Sequence, residues 1–297
     1  MSNAAETKAP KYALVLHGGA GRKRSKSERP RILGSMNKAL EIGIAVLSKG
    51  GSSLDAVEKV IRQLEDDPEF NAGKGAVKNA VGEHELDSSI MDGRDRNGGA
   101  VAGVRTVKNP ISLARLVMSR TKHVLLAADG AEKFADEMKV DRVKPAYFST
   151  ADAGGQPLPL VEEDHLGTVG CAALDSRGNL AAGTSTGGLS KKMIGRVGDS
   201  PILCAGTFAD NDTCAVSCTG VGEYFIRNAI AYDVSARMAY AKASLKSAAN
   251  HVIHKTLKKG YGGLIAVDKF GNIEMPFSTG GMARAAATAN GLRVVDT

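Results

Sequence analysis

A long stretch without hydrophobic periodicity constrains how this chain can fold, because it separates two dissimilar halves. Residues 141–165 contain three prolines, a Gly-Gly pair and the acidic run Glu162-Glu163-Asp164. Such a composition buries too little apolar surface to become ordered, so the sequence predicts a flexible linker over residues 141–167. The next residue, Thr168, begins an apolar run typical of a strand. Any fold must therefore accommodate an internal linker that leads directly into a buried strand.

Strands and helices alternate before this linker. Tyr12 to Leu16 is a short apolar run of strand type, and it ends in a glycine-rich turn from His17 to Gly21. Apolar residues then recur at the spacing of helices and of short strands. The predicted strands lie at 12–16, 85–91, 100–107 and 124–127, and the predicted helices at 31–49, 53–67, 111–119 and 130–138.

Hairpins are the main signal after the linker. Residues 175–179 and 268–272 are both turn sequences between apolar runs, and each predicts a hairpin. The predicted strands are 168–174, 180–186, 214–219, 264–267 and 273–276, and the predicted helices are 223–241 and 243–258. This pattern predicts an α+β protein with antiparallel sheet and outer helices, in one domain over residues 1–297.

Charge and composition exclude several classes of function. Much of the formal net charge of +7 lies in residues 22–31, where no aromatic side chain could stack on a base. A solvated surface loop is favoured there over a nucleic-acid site. No run reaches the ~18 apolar residues of a membrane span, and the first residues lack an apolar signal core. The four cysteines include no C-x-x-C pair, so we expect a cytoplasmic protein with no membrane partner.

The junction between Gly167 and Thr168 is the most informative point for chemistry. A chain break there would give Thr168 a free α-amine beside its own hydroxyl. An α-amine with a pKa near ~8 is partly neutral and can accept the hydroxyl proton, which a threonine nucleophile requires. Gly167 has no Cβ and can adopt a strained conformation that opens its carbonyl to attack by Thr168. By itself the pair also fits an ordinary strand entry after a turn glycine.

Residues downstream favour the chemical interpretation. A hairpin centred on residue 177 would bring Thr186 close to Thr168. Arg196 and Asp199 lie three apart in a glycine-rich loop and could hold a zwitterion, although a local surface ion pair is an alternative. Thr219-Gly220 ends a strand at a glycine-rich turn, where donors can stabilise an oxyanion. A plain strand–helix connection is the alternative for that turn.

Taken in order, these motifs resemble a known family. H-G-G-A-G, F-N-A-G-x-G, G-T-V-G, T-S-T-G-G, G-R-V-G-D-S-P and S-C-T-G-x-G-E are similar to motifs of the plant-type L-asparaginases, or isoaspartyl aminopeptidases. That family belongs to the N-terminal nucleophile hydrolases, and the resemblance covers residues 12–291. It implies a four-layer αββα sandwich and self-cleavage into an α subunit (1–167) and a β subunit (168–297). It also implies a homodimer of αβ units that acts on L-asparagine and β-aspartyl dipeptides.

The resemblance also implies roles for individual residues. Thr168 would be the nucleophile and Thr186 its hydrogen-bonding neighbour. Arg196 and Asp199 would bind the α-carboxylate and α-amine of the substrate. Thr219 and Gly220 would form the oxyanion hole, with Gly222 in the same turn. No organic cofactor is implied, but a structural sodium ion would be bound by backbone carbonyls of one loop, at Leu64, Glu65, Asp67, Phe70, Ala72 and Lys74. Asn71 lies in the same loop and would be near the nucleophile.

Other interpretations remain open at this point. Related enzymes include glycosylasparaginase, which normally carries a secretory signal and disulfides, and threonine aspartase, which normally has a longer linker. A non-cleaving homologue could bind anions through residues 22–31. A zinc enzyme is not favoured, because only His251 and His254 have the spacing of metal ligands and they lie on a predicted exposed helix face.

Overall fold

A computed structural model describes residues 12–149 and 167–297 of the protein. The strands β1 to β12 span Ala13–Gly21, Leu86–Asp92, Gly98–Val104, Leu125–Ala127, Val169–Leu174, Leu180–Thr186, Thr207–Ala209, Cys214–Gly220, Gly262–Asp268, Ile273–Glu274, Gly281–Thr288 and Arg293–Asp296. The helices α1 to α7 span Arg29–Leu47, Ser53–Glu65, Pro110–Arg120, Ala128–Glu137, Gly222–Asn228, Ile230–Ala241 and Leu245–His251. Across these two ranges, no helix has the length and apolar character that crossing a membrane requires.

The strands form two sheets. The larger sheet has the order β12-β11-β1-β5-β6-β2-β3-β4, and the smaller has the order β10-β9-β8-β7. Neighbours pair antiparallel except β3 and β4, which pair parallel. The predicted hairpins are both present, as β5–β6 and β9–β10. Helices and antiparallel sheet together confirm the α+β class.

The strands of the larger sheet, other than the edge strands β4 and β12, are buried on both faces. Along β1, Leu14 and Leu16 belong to one apolar cluster, which includes side chains of α1, α2 and α3. The alternate residues Ala13 and Val15 belong to a second cluster, which includes the smaller sheet and α6 and α7. Because successive side chains of a strand point to opposite faces, the larger sheet lies between two cores. This explains why its strands are rich in small aliphatic residues.

Several boundaries differ from those predicted. The helix expected over 223–241 is two helices, because Ala229 adopts a left-handed conformation with φ 46° between them. The helix expected over 243–258 is shorter, and it continues as a π-helical turn at Val252–Thr256. Such breaks depend on tertiary packing, so periodicity alone did not reveal them.

The beginning of the predicted linker is packed against the protein. Pro145–Phe148 is a 3₁₀ turn, and the Phe148 side chain is fully buried. The carbonyl of Phe148 accepts a hydrogen bond of 2.9 Å from the Gly75 amide. The linker prediction is therefore wrong for residues 141–149, where one aromatic side chain outweighs a polar composition. The rest of the predicted linker, up to residue 166, lies outside the described residues.

Candidate active site

The β5–β6 hairpin brings two threonine hydroxyls together. Val169 pairs with Ser185 and Gly170 pairs with Thr184, so the register sets Thr168 opposite Thr186. Thr168 Oγ1 donates to Thr186 Oγ1 over 3.1 Å, and Thr186 Oγ1 also accepts from the Gly188 amide at 2.9 Å. Both threonines are buried. The contact predicted from the turn at residue 177 is confirmed.

Gly167 touches the backbone of β1 directly. A Cβ on Gly167 would lie 2.0 Å from Gly19 Cα, and a Cβ on Gly19 would lie 2.2 Å from Gly167 Cα. Gly19 also has a φ of 100°, which other residues rarely adopt. Only glycine fits at either position, so the peptide just before Thr168 is held against the glycine-rich end of β1. The turn predicted for residues 17–21 is wrong, because β1 continues through this segment with an irregularity between His17 and Ala20.

His17 contacts the backbone of Thr168. One ring nitrogen, Nδ1, lies 2.9 Å from the Thr168 carbonyl oxygen, and Nε2 lies 3.0 Å from Ser217 Oγ. Burial lowers the pKa of His17 to about 3, so the ring is neutral. A carbonyl only accepts, so Nδ1 carries the hydrogen and the Ser217 hydroxyl donates to Nε2. The sequence reading placed His17 only in a glycine-rich loop and missed this contact.

Buried hydroxyls continue from Ser217 between the two sheets. Ser217 Oγ lies 2.7 Å from Thr184 Oγ1, which lies 2.6 Å from Thr207 Oγ1. Thr207 Oγ1 in turn lies 2.8 Å from Ser89 Oγ. The four residues are fully buried and come from β8, β6, β7 and β2. This hydroxyl chain satisfies polar groups in a region without solvent and anchors the His17 ring.

Thr219 and Gly220 end β8 beside the nucleophile. Thr219 is fully buried, and its Oγ1 accepts a hydrogen bond of 3.1 Å from the Ala20 amide. Since that amide uses an oxygen lone pair, the hydroxyl hydrogen of Thr219 remains available for another acceptor. A Cβ on Gly220 would lie 2.1 Å from the Tyr261 carbonyl oxygen, so only glycine fits in this turn. The arrangement can present donors to an oxyanion.

Arg196 and Asp199 lie close together but do not form an ion pair with each other. The Arg196 guanidinium donates from Nε and one terminal nitrogen to the two oxygens of Glu223, both at 2.9 Å. Asp199 is buried, and this burial raises its pKa to about 7. Its Oδ2 has no hydrogen-bond partner among the described residues. The local ion pair considered from the sequence is therefore wrong, and a buried carboxylate without a cation remains.

Gly222 provides the space between these two charged groups. A Cβ there would lie 2.9 Å from Asp199 Oδ1 and 3.0 Å from a terminal nitrogen of Arg196. Apart from Gly222 and the proposed sodium ligands, the predicted site residues line one cleft that is partly open to solvent. Its lining includes Thr168, Thr186, Arg196, Asp199, Thr219 and Gly220.

Asn71 connects a second loop to this cleft, which it also lines. Its Nδ2 donates to the Gly188 carbonyl at 2.7 Å, and its Oδ1 accepts from the Val77 amide at 2.9 Å. The Asn71 carbonyl accepts from the Gly187 amide at 3.0 Å. These hydrogen bonds fix the turn that follows Thr186. The sequence placed Asn71 only in the sodium loop, near the nucleophile, and did not predict these contacts.

The loop predicted to bind sodium is rich in converging carbonyl oxygens. A Cβ on Gly75 would lie 2.7 Å from the Pro68 oxygen and 2.8 Å from the Phe70 oxygen. The backbone carbonyl oxygen of Glu65 accepts a hydrogen bond of 2.7 Å from the Lys74 amide and keeps a second lone pair. Neutral oxygen donors of this kind suit a hard cation. The backbone is therefore compatible with the ion, and the sodium site stays a prediction.

The remaining candidates are the basic run of residues 22–31, for anions, and His251 with His254, for a metal ion. In the basic run, Arg22 and Arg31 form ion pairs with Glu28 and Glu69 at 2.5 and 2.9 Å. His251 and His254 are both exposed. Within 12–149 and 167–297, no three His, Cys, Asp or Glu side chains cluster as a metal site would require.

Together, a buried threonine hydroxyl, a turn that can present hydrogen-bond donors, and an arginine beside a buried aspartate are the features that an amide hydrolase requires. Comparison with known proteins agrees. The profile of the asparaginase family matches residues 10–158 and 152–296, and the chain belongs to this family.

Relatives resemble the chain over nearly its whole length. It is 46% identical to an isoaspartyl peptidase of Salmonella typhimurium, over 93% of this chain and 95% of the relative. It is 44% identical to an isoaspartyl peptidase of Escherichia coli, over 93% and 92%. It is 43% identical to an isoaspartyl peptidase/L-asparaginase of Homo sapiens, over 92% of both chains.

Proposed function

We propose that this protein is a self-processing threonine amidohydrolase. It cleaves its own chain between Gly167 and Thr168, and the freed Thr168 then hydrolyses L-asparagine to L-aspartate and ammonia and cleaves β-aspartyl dipeptides. The observation that carries the proposal is the position of Thr168, whose Oγ1 lies 3.1 Å from Thr186 Oγ1 in the cleft that Arg196 and Asp199 line. The names of the relatives support the choice of substrates.

The position of Gly167 supports self-cleavage at this point. Thr168 Oγ attacks the Gly167 carbonyl carbon, the bond to the Thr168 nitrogen breaks, and the proton lost by the hydroxyl ends on that nitrogen, which becomes a free amine. The resulting ester between Gly167 and Thr168 Oγ is hydrolysed by water. The backbone contact between Gly167 and Gly19 supports this step, because it fixes the carbonyl that is attacked.

Turnover uses the new amine as a base. Arg196 binds the α-carboxylate of the substrate, in the geometry that it now shows with the half-exposed Glu223 carboxylate. Asp199 receives the α-ammonium, which supplies the cation that its buried carboxylate lacks. Binding through both groups directs the side-chain amide toward Thr168 and distinguishes asparagine from simple amides.

The chemical steps then conserve atoms and charge. Thr168 Oγ attacks the amide carbon while the α-amine of the same residue takes the hydroxyl proton. The Thr219 hydroxyl and the Gly220 amide stabilise the oxyanion. The α-amine returns the proton to the leaving ammonia or amino acid. Water then hydrolyses the aspartyl ester and restores the hydroxyl.

The architecture proposed for this reaction is the four-layer αββα sandwich of the N-terminal nucleophile hydrolases. Contacts support it: α1, α2 and α3 pack on the larger sheet, β1, β5 and β6 touch the smaller sheet, and α6 and α7 pack on the smaller sheet. We further propose an assembly of two αβ units. A sodium ion would be held by backbone oxygens of residues 64–74, where it would fix the loop that contains Asn71.

Intact mass and ammonia release test the proposal. Purified protein should separate into fragments 1–167 and 168–297, the second starting Thr-Val-Gly-Cys, and should release ammonia from L-asparagine and leucine from β-aspartyl-leucine. Thr168→Ala should remain one chain without activity, while Thr168→Ser, which keeps a hydroxyl, should still cleave. A single uncleaved chain that hydrolyses L-asparagine at full rate would exclude this mechanism.

A further inference from the structure

The loop that carries Arg196 has no regular secondary structure. It runs from Gly187 to Asp199, after the end of β6. Its backbone is joined to a neighbouring loop by two hydrogen bonds, from the Lys191 amide to the Lys78 carbonyl and from the Ala80 amide to the Lys192 carbonyl, both 2.8 Å. A side chain on such a loop keeps a defined position only when further contacts fix the backbone near it.

A buried carboxylate supplies such a contact one residue before Arg196. Both oxygens of Glu85 lie 3.2 Å from the Gly195 nitrogen and accept from its amide. Asn79 Nδ2 donates to Oε2 at 3.1 Å, and Arg105 donates to Oε1 at 3.3 Å. The side chain of Glu85 is only 3% exposed, so these donors take the place of solvent.

The ionised state of Glu85 is consistent with this role. Burial opposes the charge, but the hydrogen bonds from Asn79, Gly195 and Arg105 together outweigh it, and the pKa of Glu85 lies below its ordinary value. An anionic acceptor holds a backbone amide more strongly than a neutral one does.

The backbone of Glu85 holds the same loop at a second point. Lys192 Nζ donates to the Glu85 carbonyl at 2.8 Å, and the Lys192 side chain is only 1% exposed. The loop is therefore fixed by Glu85 at residues 192 and 195. Glu85 does not line the cleft that contains Thr168, so its influence on the reaction must pass through the loop.

We propose that Glu85 is a positioning residue that sets the guanidinium of Arg196 for the α-carboxylate of the substrate. The inference rests on the proposed function, in which Arg196 binds that carboxylate. Glu85 would govern affinity for substrates with an α-carboxylate, and it would leave self-cleavage and the chemical step unchanged.

Glu85→Gln tests the proposal with little change of shape. Three donors converge on the two carboxylate oxygens, whereas Gln offers one acceptor oxygen and adds a donor of its own. The KM for L-asparagine should rise about tenfold, the effect of one hydrogen bond to a charged group, with kcat within about twofold. For 3-aminopropanamide, which is asparagine without its α-carboxylate, kcat/KM should be unchanged.

Glu83→Gln is the matched control. Glu83 is two residues away, half exposed, and 3.9 Å from the same Arg105, but it makes no contact with Gly195. This variant should have wild-type KM values. Hydrogen exchange of peptides covering residues 190–198 gives a readout that needs no turnover: exchange should be faster in Glu85→Gln and unchanged in Glu83→Gln.

Two results would overturn the proposal: an unchanged KM for L-asparagine in Glu85→Gln, or an equal loss with both substrates. If Glu85→Gln does not fold, Asn79→Asp is the second variant. It replaces the amide that donates to Glu85 by a carboxylate oxygen and keeps the Oδ1 of residue 79. The proposal requires the same selective rise in the KM for L-asparagine. If the wild type releases no ammonia, the proposed function fails. The exchange comparison still decides whether Glu85 fixes the loop.

Discussion

Removal of the Ser217 hydroxyl should lower the stability of the protein and also slow its self-cleavage. In Ser217→Ala, His17 Nε2 loses its donor and stays buried without a partner. Such an unsatisfied group costs about 1–3 kcal/mol in the free energy of unfolding. Thr184 Oγ1 keeps its contact with Thr207, so the loss should not spread along the hydroxyl chain. We expect the apparent Tm to fall by about 2–8 °C.

Self-cleavage should slow because His17 loses the contact that orients it. The ring donates to the Thr168 carbonyl from Nδ1, and without Ser217 it can rotate away from that oxygen. Loss of one positioned hydrogen bond, worth about 1.4 kcal/mol, corresponds to about a tenfold lower rate. The fraction of cleaved chain on denaturing gels, followed from the time of purification, measures this rate.

Ser235→Ala is a matched control. Its Oγ lies 2.7 Å from Thr213 Oγ1 in a buried pair that has no contact with the cleft. It should lose a similar amount of stability and cleave at the wild-type rate. Cleaved protein consists of two chains, so Tm values must be compared at one protein concentration. If Ser217→Ala cleaves as fast as Ser235→Ala, His17 does not position Thr168 and the reasoning is refuted.

Burial raises the pKa of Asp199 to about 7, and only the ionised carboxylate binds an ammonium, so the KM for L-asparagine should fall as the pH rises through about 7. Asp199→Asn should abolish this dependence in steady-state assays between about pH 5 and pH 8. Thr186→Val removes the acceptor of two hydrogen bonds, from Thr168 and from the Gly188 amide, and should slow self-cleavage at least about tenfold on time-course gels. Gly222→Ala sets a Cβ 2.9 Å from Asp199 Oδ1, so it should raise KM while intact-mass analysis still shows complete cleavage.

Each of these outcomes has a contrary result. A KM that rises with pH through the same range would mean that Asp199 does not bind the ammonium. Fast cleavage in Thr186→Val would assign the Thr168–Thr186 contact to packing alone. An unchanged KM in Gly222→Ala would show that the turn can shift without disturbing Arg196 or Asp199.

The sequence predicted the hairpin and its consequence well, because both depend on local rules. Strand register follows from the turn at residue 177, and it sets Thr168 against Thr186. The second glycine of the motif G-T-V-G is explained only by the structure, through contacts with distant segments. A Cβ at Gly170 would lie 2.0 Å from Ser217 Oγ and 2.3 Å from His17 Nε2, so the motif reflects close approach on both sides of the nucleophile.

Contacts between distant segments could not be predicted from the sequence. Glu223 lies 27 positions from Arg196 and Glu85 lies 110 positions from Gly195, and no periodicity relates them. The hydroxyl chain joins residues of four strands in two sheets, and serine or threonine in a strand is unremarkable in a sequence. Phe148 shows the same limit, because a single buried ring ordered residues that composition assigned to a linker.

Cleavage after Gly167 would leave β1 to β4 in one fragment and β5 to β12 in the other. In the larger sheet, β1 lies between β11 and β5, and β6 pairs with β2. The two fragments therefore share three strand pairings in the larger sheet, β1–β11, β1–β5 and β2–β6, and their separation would break the backbone hydrogen bonds of these ladders. Either fragment made alone would expose unpaired edges that invite aggregation. If the chain is cut as proposed, synthesis as one polypeptide would serve assembly, because the shared sheet could form while the two segments are still covalently joined.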